Sequence, residues 1–239
     1  MMFKRLFILI ITTLFVVSTV MGQSSGKSNQ EMSIEESYLQ EALELMIIHE
    51  TTRSNELDQK YIALEHIANA LERGSTNEEL RISLEYLILE STQNQVREGR
   101  RLVNNFPGVR RQAAKYLGVV GTKEAKTALI KVLTTDNEPM VLQEAVKSLG
   151  IIGINDNDDA VNAIVWATEK FHNSGAPNDI LAIATIDALE KFAQKDQRLN
   201  QDAIQLLMKI SNGPYVPSVK EKARQALVKV SKYAVQNKK

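Results

Sequence analysis

The sequence predicts an all-α fold, an α-solenoid in which antiparallel helix pairs stack side by side. Two observations support this prediction. Apolar residues recur at spacings of three and four along most of the chain, as on one face of a helix. In addition, residues 139–153 (PMVLQEAVKSLGIIG) repeat residues 107–121 (PGVRRQAAKYLGVVG) at a constant offset of 32 residues. A fixed internal period of this length is typical of helical repeat proteins.

The N-terminus has the pattern of a cleaved export signal. Residues 4–5 are basic, residues 6–21 are largely apolar, and Val20 and Gly22 occupy the −3 and −1 positions before Gln23. We therefore predict cleavage near Gly22, a periplasmic or secreted location, and no integral membrane span after cleavage. The alternative is an uncleaved N-terminal anchor. A flexible linker is expected to follow at residues 23–32.

The composition excludes several functional classes. The chain has 29 basic and 29 acidic residues, and without residues 1–22 it would have 27 basic and 29 acidic ones. A nearly neutral chain has no overall attraction for nucleic acid, which we do not expect as a partner. The chain has no cysteine, which excludes disulfides, a thiolate nucleophile and a cysteine metal site.

Helical signals begin at Ser33 and continue almost to the C-terminus. A capping box at residues 33–36 opens the first helix, and residues 76–79 and 92–95 are interpreted as two more. No segment alternates apolar and polar residues as a strand would. The predicted helices cover residues 33–52, 55–73, 77–91, 93–105, 108–120, 122–134, 139–152, 158–172, 179–194, 199–212 and 218–235. Residues 33–76 form a predicted N-terminal helical pair, and residues 77–239 the repeat stack.

The repeated segment has the core x-Val-Arg-x-x-Ala-x-x-Leu-Gly-x-x-Gly, matched best between Val109 and Leu133. This pattern resembles HEAT and HEAT-like repeats, including those of the phycobilisome-lyase type. The resemblance covers about residues 77–235 and implies a right-handed superhelix of about five antiparallel helix pairs. Leu142, Glu190 and Lys229 depart from the motif, so the outer repeats are expected to act as caps. The motif indicates the architecture but gives almost no information about activity.

Catalytic patterns are scarce. His49, His66 and His172 lie in different predicted helices, and no nucleophile elbow, P-loop or zincin motif occurs. Residues 155–159 (NDNDD) have acidic spacing that suggests Ca²⁺, but they lack the loop glycine and the distal glutamate of an EF-hand. Helix capping by one of these aspartates explains them better. We therefore predict no enzyme, no cofactor and no metal site.

The single tryptophan lies at an unusual position. Trp166 falls off the apolar stripe of its helix, at a place where the neighbouring repeats have Lys131 and Lys209. In HEAT-type stacks the second helix of each pair lines the concave face, so the resemblance implies one row of these three residues there. Because tryptophan is enriched at binding hot spots, the row is a candidate site for a protein partner. The alternative is that Trp166 folds over the nearby loop at residues 172–178.

Charged residues are distributed along the chain in acidic and basic blocks, although the net charge is zero. Residues 31–95 and 135–190 are acidic, whereas residues 96–134 and 191–239 are basic. In a stack these blocks become bands, and the first basic band contains further candidate partner-binding residues, Arg97, Arg100, Arg101, Arg110 and Arg111. The simple interpretation is a solvated face. The functional interpretations are an anionic partner or self-association of copies through opposite bands.

Three functional hypotheses follow. The first is an exported HEAT-like scaffold that mediates protein–protein interaction or envelope complex assembly. The second is a HEAT-like ligand-binding or lyase-type protein that acts on a small molecule, as some relatives of these repeats handle tetrapyrroles. The third is a self-assembling structural component.

Overall fold

The computed structural model describes residues 33–175 and 177–236. The predicted signal at residues 1–22 and the linker at residues 23–32 lie outside the described residues. The chain divides into two compact units, residues 1–40 and residues 41–239. Of the first unit, the structure describes only the beginning of the first helix, where Ser33 and Glu36 form the predicted capping box. In the part of the chain that is described, no helix is sufficiently long and apolar to span a membrane.

Helices account for nearly all regular structure in the described ranges. A 3-10 turn at residues 156–158 precedes the seventh α-helix. The α-helices are α1 (Ile34–Arg53), α2 (Leu57–Glu72), α3 (Glu78–Ile88), α4 (Pro107–Val120), α5 (Lys123–Thr135), α6 (Pro139–Ile152), α7 (Asp159–Asn173), α8 (Asp179–Asp196), α9 (Gln201–Asn212) and α10 (Pro217–Gln236).

The helices from α2 to α10, in the described part of the second unit, are arranged as two layers. Helices α2, α4, α6, α8 and α10 pack against one another in sequence, and α3, α5, α7 and α9 form the second layer. Each helix therefore contacts the equivalent helix of the next pair, which is the arrangement of a solenoid. The predicted all-α solenoid is confirmed. The apolar stripes of both layers meet in one continuous core.

The repeated residues set the ends and the spacing of the first-layer helices. Pro107 and Pro139 occupy the first turns of α4 and α6, where a missing N–H has no cost. Gly121 and Gly153 end the same helices in the left-handed conformation, with φ of 71° and 63°. These local signals explain why the predicted bounds of α6, residues 139–152, agree with the structure.

Close helix approach explains the other repeated glycine. A β carbon added at Gly118 would lie 2.7 Å from Ser148 Oγ, so α4 and α6 approach each other too closely for a side chain there. A β carbon at Gly150 would lie 3.1 Å from the Cα of Ala188, on α8. The Leu-Gly step of the repeat thus marks the tight contact between successive first-layer helices.

The predicted helix at residues 93–105 is wrong, and so is the expectation of no strand. This segment forms a two-stranded antiparallel hairpin in which Arg97 faces Leu102 and Glu98 faces Arg101. Gly99 lies in the turn with φ of 60°, in the region that favours glycine. We call residues 95–103 the arginine hairpin.

Hydrogen bonds from one buried side chain explain the hairpin. The buried Asn104 side chain accepts from the Val96 N–H at 3.0 Å and donates to the Asn94 carbonyl at 2.6 Å, so it satisfies backbone groups that a helix would pair internally. A glycine inside a helix would also cost about 1 kcal/mol relative to alanine. The predicted capping boxes at residues 76–79 and 92–95 are wrong as well. No helix begins at residues 92–95, and α3 is capped by Asn77, which accepts from the Glu79 N–H.

Candidate functional site

The second-layer helices present Trp166, Lys131 and Lys209 on three successive helices, α7, α5 and α9. Helix α7 packs between α5 and α9. Polar contacts tie α7 to both neighbours: Lys126 Nζ lies 2.6 Å from Asp159 Oδ2, and Asn200 Nδ2 lies 2.7 Å from Asn162 Oδ1. Lys131, Trp166 and Lys209 are all exposed. We call the exposed surface of α5, α7 and α9 the second-helix face.

Trp166 is the central residue of this face. Its side chain is 47% exposed, although it is the largest apolar side chain in the sequence. Lys170 lies one turn further along α7, with Nζ 5.6 Å from the centroid of the indole ring, a cation–π geometry. Lys170 also donates a hydrogen bond to the side chain of Asn137. The ammonium group of Lys170 therefore lies beside the indole of Trp166, and about half of the side chain remains in contact with solvent.

The lysines of the row differ in their environment. Lys209 forms an ion pair with Glu169, which lies one turn after Trp166 on α7. Next to it on α9, Met208 is 51% exposed and adds an apolar group to the face. Lys131 is exposed on α5. Sequence reasoning missed Lys170 and Met208, although spacing along the helix from Trp166 and adjacency to Lys209 could have identified them.

The candidate arginines fall into three different environments. Arg97, Arg100 and Arg101 are exposed on the arginine hairpin. Arg97 is held against the hairpin by hydrogen bonds to Gln95 Oε1 and to the Arg100 carbonyl. Arg111 is 55% exposed on α4 and lies 3.7 Å from Glu144 on α6. These four side chains can reach a partner.

Arg110 cannot reach a partner, so its prediction as a partner-binding residue is corrected. Its side chain is 2% exposed, and its Nε lies 2.7 Å from Asp136 Oδ2. Its Nη1 donates to Ser91 Oγ and to Asn105 Oδ1, each at 2.9 Å. Successive residues of a helix are about 100° apart, and α4 buries only one side of its first turn, so Arg110 points inward whereas Arg111 is exposed. Arg110 connects the base of the arginine hairpin to the end of α5.

A second buried ion pair lies beside this network. Lys60 Nζ lies 2.7 Å from Glu90 Oε1 and 2.6 Å from the Thr52 carbonyl, and both charged side chains are at most 1% exposed. Burial raises the pKa of the Glu90 carboxyl above its usual value, although Lys60 opposes this shift. The segment that carries the arginine hairpin is thus fixed at its start by Glu90 and at its end by Arg110.

The acidic residues at 155–159 are engaged in ion pairs. Asp156 and Asp159 both pair with Lys126 of α5, and Asp158 pairs with Arg198 at 3.0 Å. The pKa of Asp156 is lowered by its hydrogen bond from Lys126 and by the charge of Lys123. Asp159 also accepts from the Ala160 N–H, but the N-cap residue Asp158 makes no side-chain capping bond, and Asn155 accepts from the Val161 N–H. These contacts explain the acidic cluster without a bound cation.

The histidines do not converge. His172 stacks on Tyr215, with ring centroids 5.8 Å apart and Nδ1 3.2 Å from the hydroxyl. His66 Nδ1 lies 3.7 Å from Glu44, and His49 Nδ1 lies 3.5 Å from Glu50. Among the described residues, no cluster of three or more histidine, cysteine or acidic side chains has the geometry of a metal site.

A cleft lies between the α2–α3 turn and the α4–α5 turn. It has a volume of about 520 Å³, and Leu71, Val119 and Val120 form its apolar part. Its polar rim includes Arg81, which pairs with Glu78 and Glu85. A volume of this size falls within the range of small-molecule sites, about 300–1,000 Å³.

Comparisons with known proteins agree with this architecture. Residues 100–174 match the family described as HEAT repeats. Among solved structures, the chain is similar to one from the complex of CpcE and CpcF of phycocyanin lyase from Nostoc sp. PCC7120, with 18% sequence identity and a TM-score of 0.54. The similarity covers 89% of this chain and 70% of that chain. No curated protein has a matching sequence.

The structural neighbour corrects one prediction. The sequence analysis predicted that this chain is not an enzyme because its helical repeats carry no familiar catalytic motif. That prediction is corrected, because a structure of the same fold comes from a phycocyanin lyase complex. A helical stack without a familiar catalytic motif is thus no reason to exclude enzymatic chemistry. At 18% identity the likeness establishes the fold alone. The resemblance inferred from the repeated segment is confirmed: the chain contains HEAT repeats and has a HEAT-like solenoid fold.

Proposed function

We propose that this protein is an exported HEAT-like scaffold that binds a protein partner on its second-helix face. The observation that carries the proposal is Trp166, a half-exposed indole on α7 between the lysine-bearing helices α5 and α9. A large aromatic side chain left in contact with water has a free-energy cost that a bound partner removes. The surrounding cations favour a partner segment that combines an apolar side chain with acidic residues.

Export is part of the proposal and rests on the sequence of residues 1–22. A basic start, an apolar stretch and small residues at −3 and −1 are the features that signal peptidases require. The absence of cysteine suits either side of a membrane, so it neither supports nor opposes export. Immunoblotting of periplasmic, membrane and medium fractions, with mass determination of the N-terminus, tests cleavage before Gln23.

Crosslinking in intact cells followed by mass spectrometry tests the binding face. The Trp166→Ala variant should lose crosslinks between α5, α7 or α9 and the partner, whereas its thermal midpoint should change little. The matched control is Val119→Ala on α4, because Val119 is 60% exposed and lies in the other layer. Unchanged crosslinks in Trp166→Ala would refute the proposed face. A large loss of stability would instead indicate that the indole covers the loop at residues 172–178.

A second candidate function is ligand binding or lyase-type chemistry on a small molecule. The cleft between the α2–α3 and α4–α5 turns supports it, as does the likeness to a structure from a phycocyanin lyase complex. Native mass spectrometry of protein purified from its own cells should then show an additional bound mass. The Val119→Arg variant, which fills the mouth of the cleft, should lose that mass, whereas Trp166→Ala should keep it.

Self-association through opposite charge bands is a further part of the proposal. The neighbouring structure is a complex of two proteins, CpcE and CpcF. In this chain, the basic block of residues 191–239 and the acidic block of residues 31–95 give two ends of opposite charge. Attraction between such ends favours association and is weakened by salt.

A further inference from the structure

Helix α1 carries an uncovered apolar surface within the second unit of the chain. Leu43, Met46 and Ile47, at spacings of three and four, are 51%, 62% and 41% exposed. They form one stripe, and Glu50 extends it by a turn. Leaving three large apolar side chains in water on one helix face is unfavourable, and an uncovered stripe of this kind is typical of an interaction site. We call these four residues the α1 stripe.

Few contacts hold α1 against the stack. In the described part of α1, only Ile48 and Thr52 are buried. Polar contacts supplement them: Glu44 pairs with Arg73, and Glu41 accepts a hydrogen bond from Asn77. These contacts reach Arg73 and Asn77 in the turn between α2 and α3, and none of them involves Leu43, Met46 or Ile47. The three apolar side chains of the α1 stripe are therefore largely uncovered in the described structure.

A groove at the other end of the stack has complementary properties. It lies between α8 and α10, has a volume of about 520 Å³, and is bordered on one side by Lys147 of α6. Its floor consists of buried residues that are small or β-branched, Ala184, Ala188 and Val230, and such a floor lets a helix approach closely. Lys191 lies on its rim and has no ion pair within the described residues.

The charges of the two elements are opposite. Helix α1 contains five glutamates and one arginine, whereas α10 contains five basic residues and one glutamate. On the groove itself, Glu190 is neutralised by Lys229 at 2.7 Å, and Asp187 by Lys222 at 2.7 Å. Lys191 is therefore left to attract an incoming acidic helix, and Lys147 has only a 4.0 Å contact with Glu144.

We propose that α1 of one copy docks through the α1 stripe into the α8–α10 groove of a second copy, so that the chain assembles head to tail. This proposal makes the self-association part of the proposed function specific. The apolar side chains of the stripe cover the alanine floor, and Glu50 reaches the lysine rim. Because the two surfaces differ, the contact is heterologous, and each copy retains one free surface of each kind to bind the next.

Sedimentation velocity and light scattering of protein purified from cells that express the full chain test this. Wild type should form dimers and larger species whose fraction rises with concentration. Raising the salt from about 0.1 M to about 1 M shortens the Debye length from about 10 Å to about 3 Å and should weaken the association. Met46→Lys and Lys191→Glu should each weaken it by about tenfold or more, an effect typical of a central interface residue. Met140→Lys, at an exposed apolar site of α6 outside the groove and the cleft, is the matched control.

A mixture of the two variants gives the sharpest result. Met46→Lys retains an intact groove and Lys191→Glu an intact stripe, so the mixture should form a 1:1 heterodimer that cannot grow. A mixture that stays monomeric would overturn the proposal. A monomeric wild type would also overturn the proposal. It would mean that another protein or the chain's own residues 6–21 cover the α1 stripe instead. Trp166→Ala should leave self-association unchanged, so failure of the assembly and failure of partner binding on the second-helix face can be told apart.

Discussion

Arg110 and Asp136 form a buried ion pair, with Nε 2.7 Å from Oδ2, that connects the first turn of α4 to the residue just after α5. Asp136 also accepts the backbone N–H groups of Asn137 and Glu138, and thereby holds the turn that leads into α6. The Arg110–Asp136 pair therefore holds together the start of α4, the end of α5 and the turn between α5 and α6. The arginine of the repeat motif is an architectural residue in this chain.

Removing Arg110 should destabilise the protein strongly. Arg110→Met leaves Asp136 charged and buried without its partner, which costs about 3–5 kcal/mol in comparable cases. Arg111→Met is the matched control, because Arg111 is more than half exposed and its loss should cost no more than about 0.5 kcal/mol. Urea unfolding of both variants measures the difference. Equal midpoints would show that the Arg110–Asp136 pair contributes no net stability.

A β carbon at Gly118 should destabilise the stack although alanine favours helices. Propensity alone would make Gly118→Ala more stable by about 1 kcal/mol. The added carbon would lie 2.7 Å from Ser148 Oγ and 2.8 Å from Ser148 Cβ, so α4 and α6 must move apart. Overpacking of this kind costs about 1–3 kcal/mol, and we expect a net loss of stability.

A double-mutant cycle checks that the Gly118 effect arises from this contact. In a Ser148→Gly background, the same Gly118→Ala change should cost clearly less, since two of the three close atoms are gone. Thermal unfolding of the four proteins supplies the cycle. A fully additive result would mean that the strain lies elsewhere.

The raised pKa of Glu90 gives a pH dependence of known sign. A carboxyl whose pKa is higher in the folded than in the unfolded state binds its proton more tightly when folded. Its contribution to stability is therefore fully present below the unfolded pKa, about 4.3, and is lost as the pH rises through the folded value. Glu90→Gln removes this titration and retains the shape of the protonated side chain.

Unfolding in urea at about pH 4.5 and pH 7.5 measures this effect. The free energy of unfolding of wild type, relative to Glu90→Gln, should be larger at the lower pH. Taking the difference between the two proteins cancels the titration of the other carboxylates. A relative stability that rises with pH would show that the charge of Lys60 outweighs burial and lowers the pKa of Glu90.

The arginine hairpin should become sensitive to trypsin when its anchor is removed. Asn104 bonds the Val96 N–H and the Asn94 carbonyl, and the carbonyl also accepts from the Ser91 N–H. Asn104→Ala therefore leaves the part-buried Val96 N–H without its partner at the base of the hairpin and removes one of the two bonds to the Asn94 carbonyl. Cleavage after Arg97, Arg100 or Arg101 should accelerate by about tenfold or more, as local opening becomes easier by about 1.4 kcal/mol or more. Asn173→Ala, at the exposed end of α7, should leave the cleavage rate unchanged. Equal rates in both variants would mean that Asn104 does not hold the hairpin closed.

The sequence by itself determined the repeat and most helix bounds. Pro107 and Gly121 specify the ends of α4 through local backbone conformation, and the apolar stripe in between specifies which side is buried. Local rules work there because each helix meets the same kind of neighbour in every repeat. The HEAT-like solenoid, the capping box at Ser33 and the exposed Trp166 all follow from such rules.

Tertiary structure alone decided where that pattern breaks. The arginine hairpin exists because Asn104, eight residues away, satisfies the Val96 N–H, and a window of helical spacing does not contain that information. Similarly, Arg110 and Arg111 are adjacent residues of the same type. Arg110 pairs with Asp136, 26 residues later in the chain, whereas Arg111 is exposed. Burial depends on which element packs above a residue. That partner is set by the stacking of distant helices, so only the folded chain separates a structural arginine from one that can bind a partner.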